Sequence, residues 1–185
     1  SATVTGPRQR NQLQEQMTWF WMNHFNVFQN KNNLRAMIGD FEERAIRPHA
    51  LGRFHDLLVA TIYHPAMLRY LDNVNNGAGR INENYARELM ELFTMGAGNY
   101  SEQDIKEAAR ALTGIGIDME RGESIFRPRQ HDDGVKSFLG RSGNLSAEDV
   151  IKIILDQPST AEHVARKFWT FFAYEEPEAK VVKAL

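Results

Sequence analysis

The pattern of apolar residues predicts a mainly α-helical domain, orthogonal or bundle-like, with a small antiparallel β-hairpin insertion near residues 115–139. Three observations carry that expectation. Apolar side chains recur at three- and four-residue intervals through most of the chain. Serine or asparagine opens several of these runs and glycine closes them, which are the residues that satisfy helix ends. Only between Ile115 and Leu139 does the pattern change to strand-like alternation.

Taken in order, Ser1 to Arg8 lacks apolar periodicity and reads as a frayed leader. Leu13, Met17, Phe20, Trp21, Val27 and Phe28 then define a long aromatic helix, and Gln29 to Asn33 is a polar break. A second helix runs through Leu34, Met37, Ile38, Phe41 and Ile46 and stops near Arg47-Pro48, because a residue before proline avoids helical geometry. The third spans Phe54 to Tyr63. Pro65 restarts the chain into a short fourth helix, Ala66 to Leu71. Asp72 to Gly79 is rich in turn formers and reads as a loop.

The next helix starts from Asn82 as N-cap and ends at Gly96. Tyr85, Ala86, Leu89, Met90, Leu92 and Phe93 share one arc, so Tyr85, Leu89, Leu92 and Phe93 are expected in the core against the first helix and the Phe168–Phe172 segment. Glu83, Arg87 and Glu91 form a ladder of i, i+4 charges on the other side. Ser101 and Asp104 make a capping box for a helix closed by Gly114. Ile115, Ile117 and Met119, a turn at Arg121-Gly122, Ile125-Phe126 and Val135 to Leu139 form the β-element. Ser146 to Leu155 and Ser159 to Ala173 are two more helices, the second opened by Ser159-x-x-Glu162, and Pro177 to Leu185 begins another.

Composition narrows the function classes. With 185 residues, 42% of them hydrophobic, and Trp19, Trp21 and Trp169 among its bulky side chains, the chain can form one domain with a sizeable core. A formal net charge of −2 argues against a role dominated by nucleic acid, and no stretch suits a transmembrane helix. The absence of cysteine excludes disulfides, thiol catalysis and thiolate metal sites while leaving the compartment open. The chain begins at Ser1 without an initiator methionine, as expected of a processed or trimmed product.

Asn82-Glu83-Asn84-Tyr85-Ala86-Arg87-Glu88-Leu89-Met90-Glu91-Leu92-Phe93, followed by Ser101 to Gly114, resembles the bacterial domain-of-unknown-function family 1800, which carries these two blocks in this order. The resemblance runs from about Gln14 to Tyr174. It names a family without a reaction, and it implies an exported protein in a periplasmic or extracellular setting. Phe126 to Gly140 resembles the family's His-Asp-x-Gly-x-Lys loop, with His131, Asp132, Gly134 and Lys136 in those places. Trp19 to Phe25 is similar to its aromatic Trp-x-Asn-His-Phe signature, except that Met22 stands where members commonly carry a histidine. That substitution leaves His24 alone on an apolar helix, where a hydrogen-bonded core histidine is expected rather than a zinc ligand.

Two constellations carry candidate chemistry. His131 beside Asp132 suits a general base or metal ligand, Lys136 suits stabilisation of negative charge, and Arg87 and Glu88 on the Asn82 helix would form the other wall of a cleft. The structural alternative is a polar turn, with His131 and Asp132 bonded to their own loop and the helix charges paired with one another. The second constellation is a calcium loop of EF-hand type: Asp72 at position 1, Asn76 at position 5, Gly77 at position 6 and Glu83 at position 12. Val74 at position 3 and Arg80 at position 9 depart from that template, and the plain alternative is a connection capped by Asn82. No phosphate loop, nucleophile elbow or dinucleotide fingerprint occurs. Two functions are therefore expected. The first is a scaffold binding other segments of its parent protein, another protein or an extracellular polymer. The second is a hydrolase-like or metal-assisted enzyme with a cleft between the Asn82 helix and the His131 loop.

Overall fold

The computed structural model describes residues 7–27, 34–173, 176–182 and 184, and it is mainly helical. Its helices are α1 (Pro7–His24), α2 (Ile38–Phe41), α3 (Phe54–Ile62), α4 (Pro65–Tyr70), α5 (Asn84–Glu88), α6 (Glu102–Ala111), α7 (Ala147–Leu155), α8 (Pro158–Ala173) and α9 (Ala179–Val182). Two separate antiparallel hairpins lie between α6 and α7. One pairs β1 (Ile115–Asp118) with β2 (Glu123–Phe126), and the other pairs β3 (Lys136–Phe138) with β4 (Arg141–Gly143).

Several local expectations change. Helix α1 already includes Pro7 and Arg8, since proline suits a first helical turn; Ser1–Gly6 and the break at Gln29–Asn33 lie outside the described residues. The single helix expected over 34–46 is a series of pieces. A 3-10 turn (Leu34–Ala36) leads into α2, then a π-helical segment (Glu42–Ile46) and a 3-10 turn that carries Pro48 (Arg47–His49). Pro48 has no amide to give an α-helical bond, and the chain passes it by changing hydrogen-bond spacing. Helix α8 begins at Pro158, so Ser159 sits inside the first turn and is not a cap. The single hairpin becomes two because Arg141–Gly143, a polar segment without alternation, pairs with Lys136–Phe138.

Helix α5 runs on directly into a π-helical segment, Leu89–Thr94, and here the sequence periodicity misplaced one residue. The wider turn rotates the residues after Leu89 relative to an α-helix. Leu92, expected in the core, is 44% exposed, while Thr94 is buried and donates its hydroxyl to Leu89 O at 2.7 Å. The segment closes when the amides of Met95 and Gly96 both bond to Met90 O. Gly96 has φ +76°, and a Cβ there would lie 2.7 Å from His163 Nδ1, so both backbone and space require glycine.

The core forms around this helix. Tyr85, Ala86, Leu89, Met90 and Phe93 are buried, with Phe25, Phe41, Leu58, Ile105 and Ile154 among the other fully buried side chains. Phe93 meets Phe25 just beyond the end of α1 at 5.3 Å between ring centres, and Phe20 meets Phe168 and Phe171 of α8 at 5.4 and 5.3 Å. The capping boxes of α6 (Ser101, Asp104) and α7 (Ser146, Asp149) are complete in both directions.

Candidate functional site

The His131 loop follows β2 and a 3-10 turn (Pro128–Gln130), and it folds back onto α6. Gly114 permits the close approach: its φ is +81°, and a Cβ would lie 2.8 Å from Arg127 O. His131 Nδ1 then sits 2.9 Å from Thr113 O, and the Asp132 amide donates to Thr113 Oγ1 at 2.8 Å. Arg110 grips Asp132 with two parallel bonds of 2.8 and 3.0 Å and reaches Glu107 at 2.9 Å. The guanidinium bonds hold the Asp132 carboxyl down at about 2, against desolvation. Glu107 also accepts the amide of Ser137 in β3, which ties the second hairpin to the same helix.

Lys136 is a buried ammonium whose pKa is lowered by desolvation. Its Nζ donates to Asp132 O, to Gly134 O at 3.1 Å and to Asn144 Oδ1 at 3.3 Å. Three acceptors for three ammonium hydrogens leave little for a ligand. No carboxylate bonds Lys136 among the described residues; two backbone carbonyls and the Asn144 amide oxygen take its hydrogens, because the loop curls around the amine.

On α5, Arg87 binds Glu102 through two bonds of 2.9 and 2.8 Å and approaches Glu83 at 3.5 Å. Among the described residues, none of the hydrogen bonds or ion pairs of Arg87 reaches the His131 loop. His131 lines a cavity of about 430 Å³ with Tyr63, Phe126 and Glu148. Glu88 lines a different one, of about 420 Å³, with Asn23, His24, Asn84 and Lys167. The structure thus groups His131, Asp132 and Lys136 on α6, and sets Arg87 and Glu88 in other surroundings.

The loop read as a possible calcium site is built from asparagines that staple helix ends. Asn76 is buried; its amide donates to Ala109 O at 2.8 Å and Asn73 Oδ1 at 3.1 Å, and its Oδ1 accepts the Asn82 amide at 2.9 Å. Asn73 donates to Leu112 O and Ile115 O, so the loop satisfies carbonyls at the end of α6. Asn82 and Asn84 likewise donate to Asp72 O and Leu71 O beyond α4, and Asn82 Oδ1 accepts the Asn84 amide. Asn76 is thus engaged on both sides and Glu83 faces Arg87 at 3.5 Å, so two of the three side chains of the expected calcium loop are bonded within the protein. Among the described residues, no group of three or more histidine or acidic side chains is placed to hold a metal.

A third cluster escaped the sequence reading. The last carbonyls of the π-helical segment point at side chains from α1 and α8. His24 Nε2 lies 2.9 Å from Phe93 O, while His163 Nε2 and Lys167 Nζ lie 3.2 and 2.9 Å from Leu92 O. A carbonyl only accepts, so both imidazoles donate through Nε2. Such donors also complement the negative end of the helix dipole. Burial, reinforced by the charge of Lys167, drives the pKa of His24 down to about 3, and its buried Nδ1 has no partner among the described residues. Burial also lowers His163 and Lys167. Among the described residues, Lys167 has no carboxylate partner. The i, i+4 spacing of His163 and Lys167 on α8 was the available signal; its link to His24 exists only in three dimensions.

Fold and clusters together define a mainly helical domain whose polar segments are bound largely to its own helix ends. The chain matches the family described as "Protein of unknown function (DUF1800)" over residues 3–185 and belongs to it. No curated protein and no solved structure matches. Among the described residues, no helix is long and apolar enough to cross a membrane.

Proposed function

We propose that this chain is a non-catalytic binding module of an exported protein, working in the periplasm or outside the cell, where it recognises another protein or an extracellular polymer. The observation that carries this reading is the internal use of the His131 loop. Asp132 is gripped by Arg110, Lys136 is wrapped by acceptors, and Glu107 joins the loop to β3. Such a network holds the loop in place and occupies Asp132 and Lys136, two of the side chains a catalytic role would need. The alternative, a hydrolase-like or metal-assisted enzyme using His131, Asp132, Lys136, Arg87 and Glu88, draws on Glu88 and Lys167 lining one polar cavity.

The two readings differ in what Asp132→Asn does. As a structural lock, Asp132 contributes stability, and its loss should lower unfolding free energy by about 1–3 kcal/mol. The purified chain should sediment with an insoluble extracellular polymer, or retain a partner protein, without releasing soluble products. Release of soluble fragments by the wild type, abolished by Asp132→Asn or His131→Asn with unchanged melting curves, would establish the enzyme instead.

A further inference from the structure

We propose that the cleft between α1 and α8 is a binding site for an acidic sugar residue, a uronate within an extracellular polymer. The proposal rests on the binding-module reading for its setting and names that module's ligand.

The cleft has a volume of about 390 Å³. Phe20, Asn23, His163, Arg166, Lys167 and Thr170 are in its walls, which hold no acidic side chain; Glu88 lies in the adjoining cavity that Lys167 also lines, and no ion pair joins the two among the described residues. Charge complementarity therefore favours an anion. Lys167 is the group best suited to hold it. Its Nζ uses one bond on Leu92 O, it has no carboxylate partner among the described residues, and burial has lowered its pKa. A ligand carboxylate would supply the missing counter-charge and add charge-assisted hydrogen bonds. Arg166, also in the wall, is already paired with Glu176, so Lys167 carries the charge recognition.

A sugar is favoured over a wholly apolar acid by what borders the cleft. Trp19 is 60% exposed, with its ring edge-to-face on Phe171 at 5.5 Å, and it sits one helical turn before Asn23, which donates to Trp19 O at 2.8 Å. The exposed Trp19 indole, reaching the cleft through its contact with Phe171, together with the amide of Asn23 and the hydroxyl of Thr170, matches a ring that has an apolar C–H face and a hydroxyl edge. Trp19 is thus assigned as the stacking platform, Lys167 as the carboxylate partner, and Asn23 and Thr170 as hydroxyl contacts.

Isothermal titration calorimetry on the whole chain tests this with an oligogalacturonide, a neutral cello-oligosaccharide of the same length and poly-glutamate. The acidic sugar should bind at least about tenfold more tightly than the neutral one, and added salt should weaken it. Lys167→Met should remove about tenfold or more of that affinity, and Trp19→Ala, a change at an exposed position, should weaken both sugars. The site is refuted by no binding of the oligogalacturonide, by equal affinity for the neutral sugar, by equal affinity for poly-glutamate, or by unchanged binding in Trp19→Ala. The last of these applies even where Lys167→Met fails to fold. Binding with the expected variant pattern but accompanied by cleavage of the sugar would uphold the site and overturn the non-catalytic reading.

Discussion

The His131 loop and the junction of α1, α5 and α8 put similar side chains to opposite uses. In the loop, charge is dense and satisfied: Arg110 meets Asp132 twice, Glu107 serves both Arg110 and β3, and Lys136 is ringed by acceptors. At the junction, charge is sparse and incompletely matched. Among the described residues, Lys167 lacks a carboxylate and a buried nitrogen of His24 has no partner. Density of titratable residues in a sequence therefore measures how many bonds a segment can make with itself. A group that is buried and still has unused bonding capacity is the stronger pointer to a ligand.

The largest expected effect comes from acid at the junction. The unfolded chain protonates His24 near the ordinary value of 6.5, whereas the folded chain resists until about 3. Stability from keeping this imidazole neutral is complete above pH 6.5 and is lost as pH falls toward 3, to the extent of roughly 5 kcal/mol. His64 and His163, also lowered by burial, act in the same direction. Urea unfolding at pH 7.5, 5.5 and 4.5 should show the decline, and His24→Gln should flatten part of it. Constant stability across that range would remove the contrast with the loop, since the Asp132 carboxyl, lowered to about 2, titrates further toward acid.

Next in size is Leu89→Ala, which tests the core beneath the junction. Leu89 is fully buried, and truncation should cost about 2–5 kcal/mol, while the same change at exposed Leu92 should cost well under that. Equal costs at the two positions would contradict the π-helical rotation. The smallest effect is expected from Arg87→Gln. Its partners Glu83 and Glu102 are solvent-facing to different degrees, and exposed pairs are worth at most about 1 kcal/mol. A loss well beyond that in thermal melts would place Arg87 with the closed network of the loop.

Much of the fold was legible because its signals are local. Ser101 and Asp104 are three residues apart, a capping box is completed within one turn, and the structure has both of its bonds. Gly96 likewise ends the Asn82 helix in the left-handed conformation expected of it. The family blocks were also recognisable as a linear string. Legibility failed where hydrogen-bond spacing changed without a residue that announces it. Nothing in Leu89 to Thr94 signals a π-turn, so Leu92 was assigned to the wrong face. The pairing of Lys136–Phe138 with Arg141–Gly143 was missed for a related reason, since small polar residues carry little strand signal.

By itself the sequence determined the helical class, most helix ends, the family and the residues able to carry charge, because each follows from periodicity, capping or a contiguous string. Tertiary structure alone decided the partner of each polar group: the loop asparagines on the ends of α4 and α6, Arg110 on Asp132, and His24, His163 and Lys167 around Leu92 and Phe93. The physical reason is range. Propensity and capping act over a few residues, whereas desolvation and hydrogen-bond satisfaction depend on segments about 70 positions apart in the chain meeting at one helix end.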